Sequence, residues 1–193
     1  MMGNAAETER ILALSKKLAN VHENPLAQAV HYALCGASFM VNGQIEECLD
    51  YADRAVAVSR AHNFAFWLGT GLCLRGWALG QSGQLDAAFD ALDEGIAVFE
   101  GTGAGVQLSN WYGIKAETLL TAGRLKEGLV AVDHALRCAA DTGDVYYTPR
   151  THAVAARLWS ELNDKDNAAH HTQIATDLAA EFGMAKDMTT LLI

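Results

Sequence analysis

The sequence predicts an all-α fold, a right-handed solenoid of antiparallel helix pairs, and three observations predict it. The first is composition. Of 193 residues 51% are hydrophobic and only two, Pro25 and Pro149, are prolines, which is enough apolar material for a core with almost nothing to break a helix. The second is an internal period of 40 residues, marked by two series of turn residues. One series runs Gly43, Gly83, Gly123 and Asn163; the other runs Asn63, Gly103, Gly143 and Gly183. All eight are glycine or asparagine, the residue types that tolerate the left-handed conformation closing a helix. The third is spacing: the segments between these marks carry apolar residues at helical intervals, such as Ala88, Leu92, Ile96 and Phe99.

The elements follow in order. The first helix of each pair, A, is predicted over 25–41, 64–81, 104–121 and 148–161, and its partner B over 44–61, 84–101, 124–141 and 164–181. Asn24-Pro25 and Thr148-Pro149 each set a capping side chain before a proline at the first helical position, so both prolines start helices. Within each pair a small residue on A stands twelve positions before a small residue on B: Gly36/Cys48, Gly76/Ala88, Ala116/Gly128 and Ala156/Ala168. Small facing residues let antiparallel helices approach closely, with Phe39, Leu79, Leu119 and Trp159 filling the flanks. A single helix pair cannot bury its apolar face alone, so the units stack.

The chain reads as one domain over 1–193: a capping helix at 5–22, repeats at 25–61, 64–101, 104–141 and 148–181, and a partial helix at 184–193. The apolar ending Leu191-Leu192-Ile193 is unlike a cap, which turns a polar face outward. Either the chain is cut from a longer one or that end meets a partner.

Fourteen Lys and Arg against 23 Asp and Glu give a formal charge of −9, with no basic footprint for a nucleic-acid backbone or an anionic membrane. Cys35, Cys48, Cys73 and Cys138 are far apart, without a Cys-x-x-Cys and without a leader before them. They read as buried reduced thiols of a cytoplasmic chain. Apolar runs such as 64–74 fall short of the ~20 residues a membrane span needs.

The paired small residues and the Gly-x-Leu-x-x-Ala-like turns resemble the tetratricopeptide repeat, although 40 residues exceeds its usual ~34 and overlaps the HEAT and armadillo range. Equal helix lengths and paired small positions favour the former. The long unit is similar to repeats at the C-terminus of bacterial signalling proteins, in which a nucleotidyl cyclase or DNA-binding domain and an ATPase domain come first. The stretches Leu74-Arg75-Gly76-Trp77-Ala78-Leu79 with Gly83, Ala116-Glu117-Thr118-Leu119-Leu120 with Gly123-Arg124, and Ala156-Arg157-Leu158-Trp159 carry this resemblance. It implies protein or ligand sensing by non-catalytic repeats. The cyclase, ATPase and DNA-binding segments themselves have no counterpart in this sequence.

Gly101-Thr102-Gly103-Ala104-Gly105 has no strand before it and no lysine after it, so it reads as a helix–helix turn rather than a phosphate loop. The seven histidines, His170 and His171 included, show no His-Glu-x-x-His and no zinc spacing with cysteine. No serine or cysteine sits in a nucleophile elbow. No cofactor or metal is expected.

In stacked pairs of this kind the A helices line the concave face, and residues at i, i+3 and i+7 point into it. This predicts the rows Thr70, Cys73, Trp77; Asn110, Gly113, Glu117; and Arg150, Ala153, Arg157. The mixture of an aromatic, amide and both charges suits a polar peptide or extended protein segment. Trp77 is the leading contact, with inter-repeat packing as its alternative; Arg150 and Arg157 either meet a carboxylate or are solvated and bridge neighbouring glutamates. Arg75 and Lys115 project instead towards B helices, where Asp53, Asp93 and Asp133 recur at forty, predicting a ladder of ion pairs. Phe64, Phe66, Trp67, Trp111, Tyr112, Tyr146 and Tyr147 at the A-helix starts are expected to fill the space between units. The expected function is protein or peptide binding without catalysis; a small-molecule receptor is the alternative, and an enzyme would need a constellation the sequence does not supply. Uncovered apolar surface also predicts a homo-dimer.

Overall fold

The computed structural model describes residues 10, 13, 24–105 and 107–183. The partial helix expected at 184–193, and the cap expected at 5–22 apart from residues 10 and 13, lie outside the described residues. Among these residues there are eight helices and no strand. They fall into two compact units, one ending at Ala104 and the other beginning at Gly105.

The first unit contains α1 (Pro25–Val41), α2 (Ile45–His62), α3 (Ala65–Gln81) and α4 (Leu85–Thr102). The pairs α1/α2 and α3/α4 pack internally, and α3 packs against both α2 and α1. The second unit repeats this arrangement with α5 (Leu108–Thr121), α6 (Leu125–Thr142), α7 (Thr148–Glu161) and α8 (Lys165–Glu181).

The hinge residues explain why helices of this length recur. All eight positions of the two turn series have positive φ, from 57° at Asn63 to 76° at Gly83. Each A-to-B turn closes with the same bond, in which the N–H after the hinge donates back over the last helical turn. Gln44 donates to the Phe39 carbonyl, Gln84 to Leu79, Arg124 to Leu119 and Asp164 to Trp159, each at 2.9 Å. These are Schellman closures, which satisfy carbonyls that the helix end would leave bare.

Starts vary more than stops. The Asn24 side chain accepts from the N–H groups of Leu26 and Ala27 at 2.9 and 3.3 Å, as an N-cap should. Thr148 does not cap: it is the first residue of α7, with Tyr147 at the cap position, and its hydroxyl is buried without a hydrogen-bond partner. Helix α5 begins at Leu108 rather than 104, because Gln107 before it is left-handed at φ 72°.

Close helix approach is real where it was read. A Cβ on Gly76 would lie 2.6 Å from Leu92 Cγ and 3.0 Å from the Ala88 carbonyl oxygen. A second glycine pair, Gly69 and Gly95, brings the other half of α3 against α4: a Cβ on Gly95 would lie 2.6 Å from Cys73 Sγ and 3.1 Å from the Gly69 oxygen. Between pairs, leucines of the following A helix fill the small-residue sites. Leu74 Cδ1 would lie 3.2 Å from a Cβ on Gly36, and Leu158 Cδ2 2.7 Å from one on Gly128.

The aromatics divide. Trp111 is buried, and Phe66 meets Phe99 edge-on with centroids 5.3 Å apart. Tyr146, expected in the core, is exposed beside Tyr147; it lies in the turn before α7, two residues ahead of the first helical position.

Candidate interaction surface

In the first unit the predicted contact row is mostly interior. Trp77 is only 6% exposed, and Thr70 and Cys73 are buried as well. Thr70 spends its hydroxyl on the Phe66 carbonyl of its own helix at 3.0 Å. Cys73 faces α4 because Gly95 leaves room for its sulfur, and burial pushes its thiol well above the usual range. These three side chains as placed offer little area to a partner, and Trp77 is not the exposed aromatic that its spacing predicted.

The second unit keeps an accessible polar row. Asn110 and Ala153 are buried, but Glu117 on α5 and Arg150 on α7 are partly open, with 14% and 24% of their side chains exposed. Arg150 Nη2 donates to Glu117 Oε2 at 2.5 Å, joining two neighbouring A helices. Gly113 lies one turn before Glu117, where a Cβ would come 3.1 Å from Thr151 Oγ1. Its missing side chain lets α7 approach α5 beside this ion pair. Arg150 Nε is buried with no partner of its own, so part of this guanidinium's donor capacity is unspent.

Arg157 is exposed two turns along α7. It borders a groove of about 310 Å³ lined by Ala156, Ser160, Glu161, Ala168, Ala169 and Thr172. Carboxylate, hydroxyl and guanidinium thus stand among small residues, a surface that can exchange hydrogen bonds with a polar segment.

Part of the expected ion-pair ladder lies within the first unit. Arg75 Nε donates to Asp53 Oδ1 at 2.8 Å, from α3 to α2. Asp133 instead pairs within α6, with Arg137 at 2.9 Å. A further pair, Arg60 with Glu94, connects the two B helices of the first unit at 2.5 Å.

One cluster escaped the sequence reading. His152 Nδ1 and His171 Nδ1 are 2.8 Å apart across α7 and α8, with ring centres 5.0 Å apart. That centre separation requires the two nitrogens to point at each other along nearly one line. The contact is therefore an N–H···N hydrogen bond carrying one proton, and its lone pairs do not converge on a common metal position. Burial, with His171 and His170 nearby, holds the His152 imidazole down at about 4; burial and His170 lower His171 too. Among the described residues no group of three or more His, Cys, Asp or Glu is placed to hold a metal ion.

The register of small residues could have found this pair. Four positions back from Ala156 and three forward from Ala168 are His152 and His171. The same step from Gly36/Cys48 gives Tyr32 and Tyr51, whose rings meet edge-on at 6.0 Å.

These features define a TPR-like helical-repeat fold, with a partly open polar face on the A helices of the second unit. Solved structures show the same fold. BtubC (BKLC) from P. vanneervenii is similar over 93% of this chain and 76% of its own, at 12% identity and a TM-score of 0.73. Two crystal structures of the nearly identical TPR-like repeats of a Podosopora anserina kinesin light chain also match. One aligns over 94% of this chain and 91% of its own at 13% identity and TM-score 0.63; the other, a variant, aligns over 92% and 86% at 14% and 0.60. No protein-family profile matches the sequence, and no curated protein matches it. Among the described residues no helix is long and apolar enough to cross a membrane.

Proposed function

We propose that this chain is a non-catalytic scaffold that binds a protein or peptide partner along its A helices, as a sensory or regulatory module of the cytoplasm. The observation that carries the reading is the Glu117–Arg150 ion pair of α5 and α7, partly open and flanked by the exposed Arg157. A partly open ion pair is costly to keep dehydrated without further hydrogen bonds. A polar peptide laid over Gly113 supplies them, with a carboxylate or carbonyl accepting from the guanidinium and an amide donating to Glu117. The solved neighbours support a scaffold, since helical repeats of this kind commonly mediate protein interactions. A charge of −9 favours a protein over a nucleic acid. The resemblance to repeats of bacterial cyclase, ATPase and transcription-activator proteins supports the sensory role.

The test is a pull-down from native extract with wild type beside Arg157→Glu and Lys126→Glu. Both positions are exposed, so both variants should fold. The proposal expects a protein captured by wild type and Lys126→Glu and lost by Arg157→Glu. The same captured set for all three proteins would remove this face from consideration. If instead a thermal-shift screen found one small molecule as the dominant stabiliser, the chain would be a receptor for that ligand.

A further inference from the structure

Helices α5 and α7 pack together in the second unit, and polar ties hold both ends of their contact. At one end is the Glu117–Arg150 ion pair. At the other, Ser109 Oγ in the first turn of α5 donates to Asp144 Oδ2, in the turn before α7, at 2.8 Å. Ser109 is buried and Asp144 half-buried. A hydrogen bond from a hydroxyl to a sheltered carboxylate is of the stronger, charge-assisted kind.

The same carboxylate also organises the turn. Its Oδ1 accepts from the Tyr146 N–H at 3.2 Å. From there the backbone is bonded straight into α7. The Thr148 N–H donates to the Val145 carbonyl at 3.3 Å, and both the N–H and the hydroxyl of Thr151 donate to the Tyr147 carbonyl at 3.1 Å. Arg150 lies inside this bonded stretch. Between the two ties α5 presents Gly113, which has no side chain to interlock with α7 along its length. The axial position of α7, and with it the reach of Arg150 to Glu117, therefore depends on the tied end.

The first unit supplies a comparison. Eighty residues earlier, the places of Ser109, Glu117, Asp144 and Arg150 are taken by Ala29, Ala37, Phe64 and Thr70. Neither tie can form there, so the Asp144 bond and the ion pair occur together in one unit and are missing together from the other.

We infer that Asp144 is a positioning residue for the binding face proposed above. Bonded to Ser109, it fixes α7 against α5 so that the Arg150 guanidinium stands over Gly113 beside Glu117. A long side chain gives up rotamer freedom to hold one geometry, and it holds this one because the helix that carries it is pinned. The inference rests on the binding face for its use, but its test needs no partner.

The test is a double-mutant cycle on Glu117→Gln and Arg150→Gln, read by urea unfolding in the wild-type, Ser109→Ala and Asn24→Ala backgrounds. Ser109→Ala should fold, since alanine occupies the corresponding place in α1. Asn24→Ala lowers stability through a lost cap in the first unit and leaves α5 and α7 alone. A coupling of about tenfold in the unfolding constant is expected in the wild-type and Asn24→Ala backgrounds, falling to about twofold or less with Ser109→Ala. Asp144→Ala should reproduce that fall. In NMR spectra of nitrogen-labelled protein the buried Nε–H of Arg150 should be seen in wild type and Asn24→Ala and lost to exchange in Ser109→Ala. Equal couplings in every background, an equal fall with Asn24→Ala, or an Arg150 signal unchanged by Ser109→Ala would overturn the inference and leave the binding face standing. A pull-down in which Arg157→Glu keeps the wild-type set would instead remove the face and leave the role of Asp144 intact.

Discussion

Acidification should loosen the second unit through the His152–His171 hydrogen bond, and the amount follows from the structure. In the unfolded chain a histidine takes up its proton near 6.5, whereas His152 in the fold resists until about 4. A depressed value means that the fold disfavours the charged form. Its contribution is therefore whole above pH 6.5 and is lost as the pH falls from 6.5 towards 4. At about 1.4 kcal/mol per pH unit, the loss between pH 7.5 and pH 5 approaches about 2 kcal/mol before screening. The site is half-open to solvent, which reduces the expected effect to about 1 kcal/mol. For a chain of this size that is a fall in Tm of roughly 2–4 °C. The measurement is a difference: urea unfolding of wild type and His152→Leu at pH 7.5 and 5.0. The variant should lose about 1 kcal/mol less than wild type on acidification. Parallel losses in the two proteins, or a wild type that gains stability at pH 5 relative to the variant, would refute the reasoning.

Further outcomes are expected elsewhere. Asn24→Ala should destabilise the fold by about 1 kcal/mol through the lost cap, whereas Thr148→Ala, which removes a buried unsatisfied hydroxyl, should cost nothing in the same denaturation assay. Gly76→Ala should cost about 1–3 kcal/mol because its methyl meets Leu92. Gly83→Ala, with open space around it but φ of 76°, should cost about 1 kcal/mol from backbone strain alone. A double-mutant cycle on Asp53 and Arg75 should give a coupling below about 1 kcal/mol, since both side chains are well exposed. Towards a thiol reagent Cys138 should react first and Cys48 and Cys73 only on unfolding, because burial holds the Cys48 thiol up at about 12 and that of Cys73 well above its usual range.

The hinges were legible because they are a backbone requirement with a narrow chemical answer. Left-handed φ at a helix end selects glycine or asparagine, and recurrence at forty separates those positions from glycines such as Gly69 and Gly95 that serve packing. The start of α5 was not legible, because the left-handed residue there is Gln107, a type the turn rules do not flag. Thr148 before Pro149 looked like Asn24 before Pro25, but the helix takes Thr148 into its first turn. In the first unit Thr70, Cys73 and Trp77 are interior, and at Cys73 the reason is visible: Gly69 and Gly95 draw α3 onto α4 and turn that side chain inward. A row counted from Gly76 alone could not register that second approach. In the second unit the equivalent positions are Ser109 and Ala135; there Glu117 and Arg150 are partly open and Arg157 is exposed, while Asn110 and Ala153 are buried. Pairing across antiparallel helices, as in His152 and His171, is readable only once the small-residue register is used to align both helices.

Hydrogen exchange on the complex with whatever partner Lys126→Glu and wild type both capture probes the central claim most directly. Protection should rise in 108–121 and 148–161, the A helices that carry Glu117, Arg150 and Arg157, while 125–142 exchanges as in the free chain. Protection confined to the B helices would contradict the account.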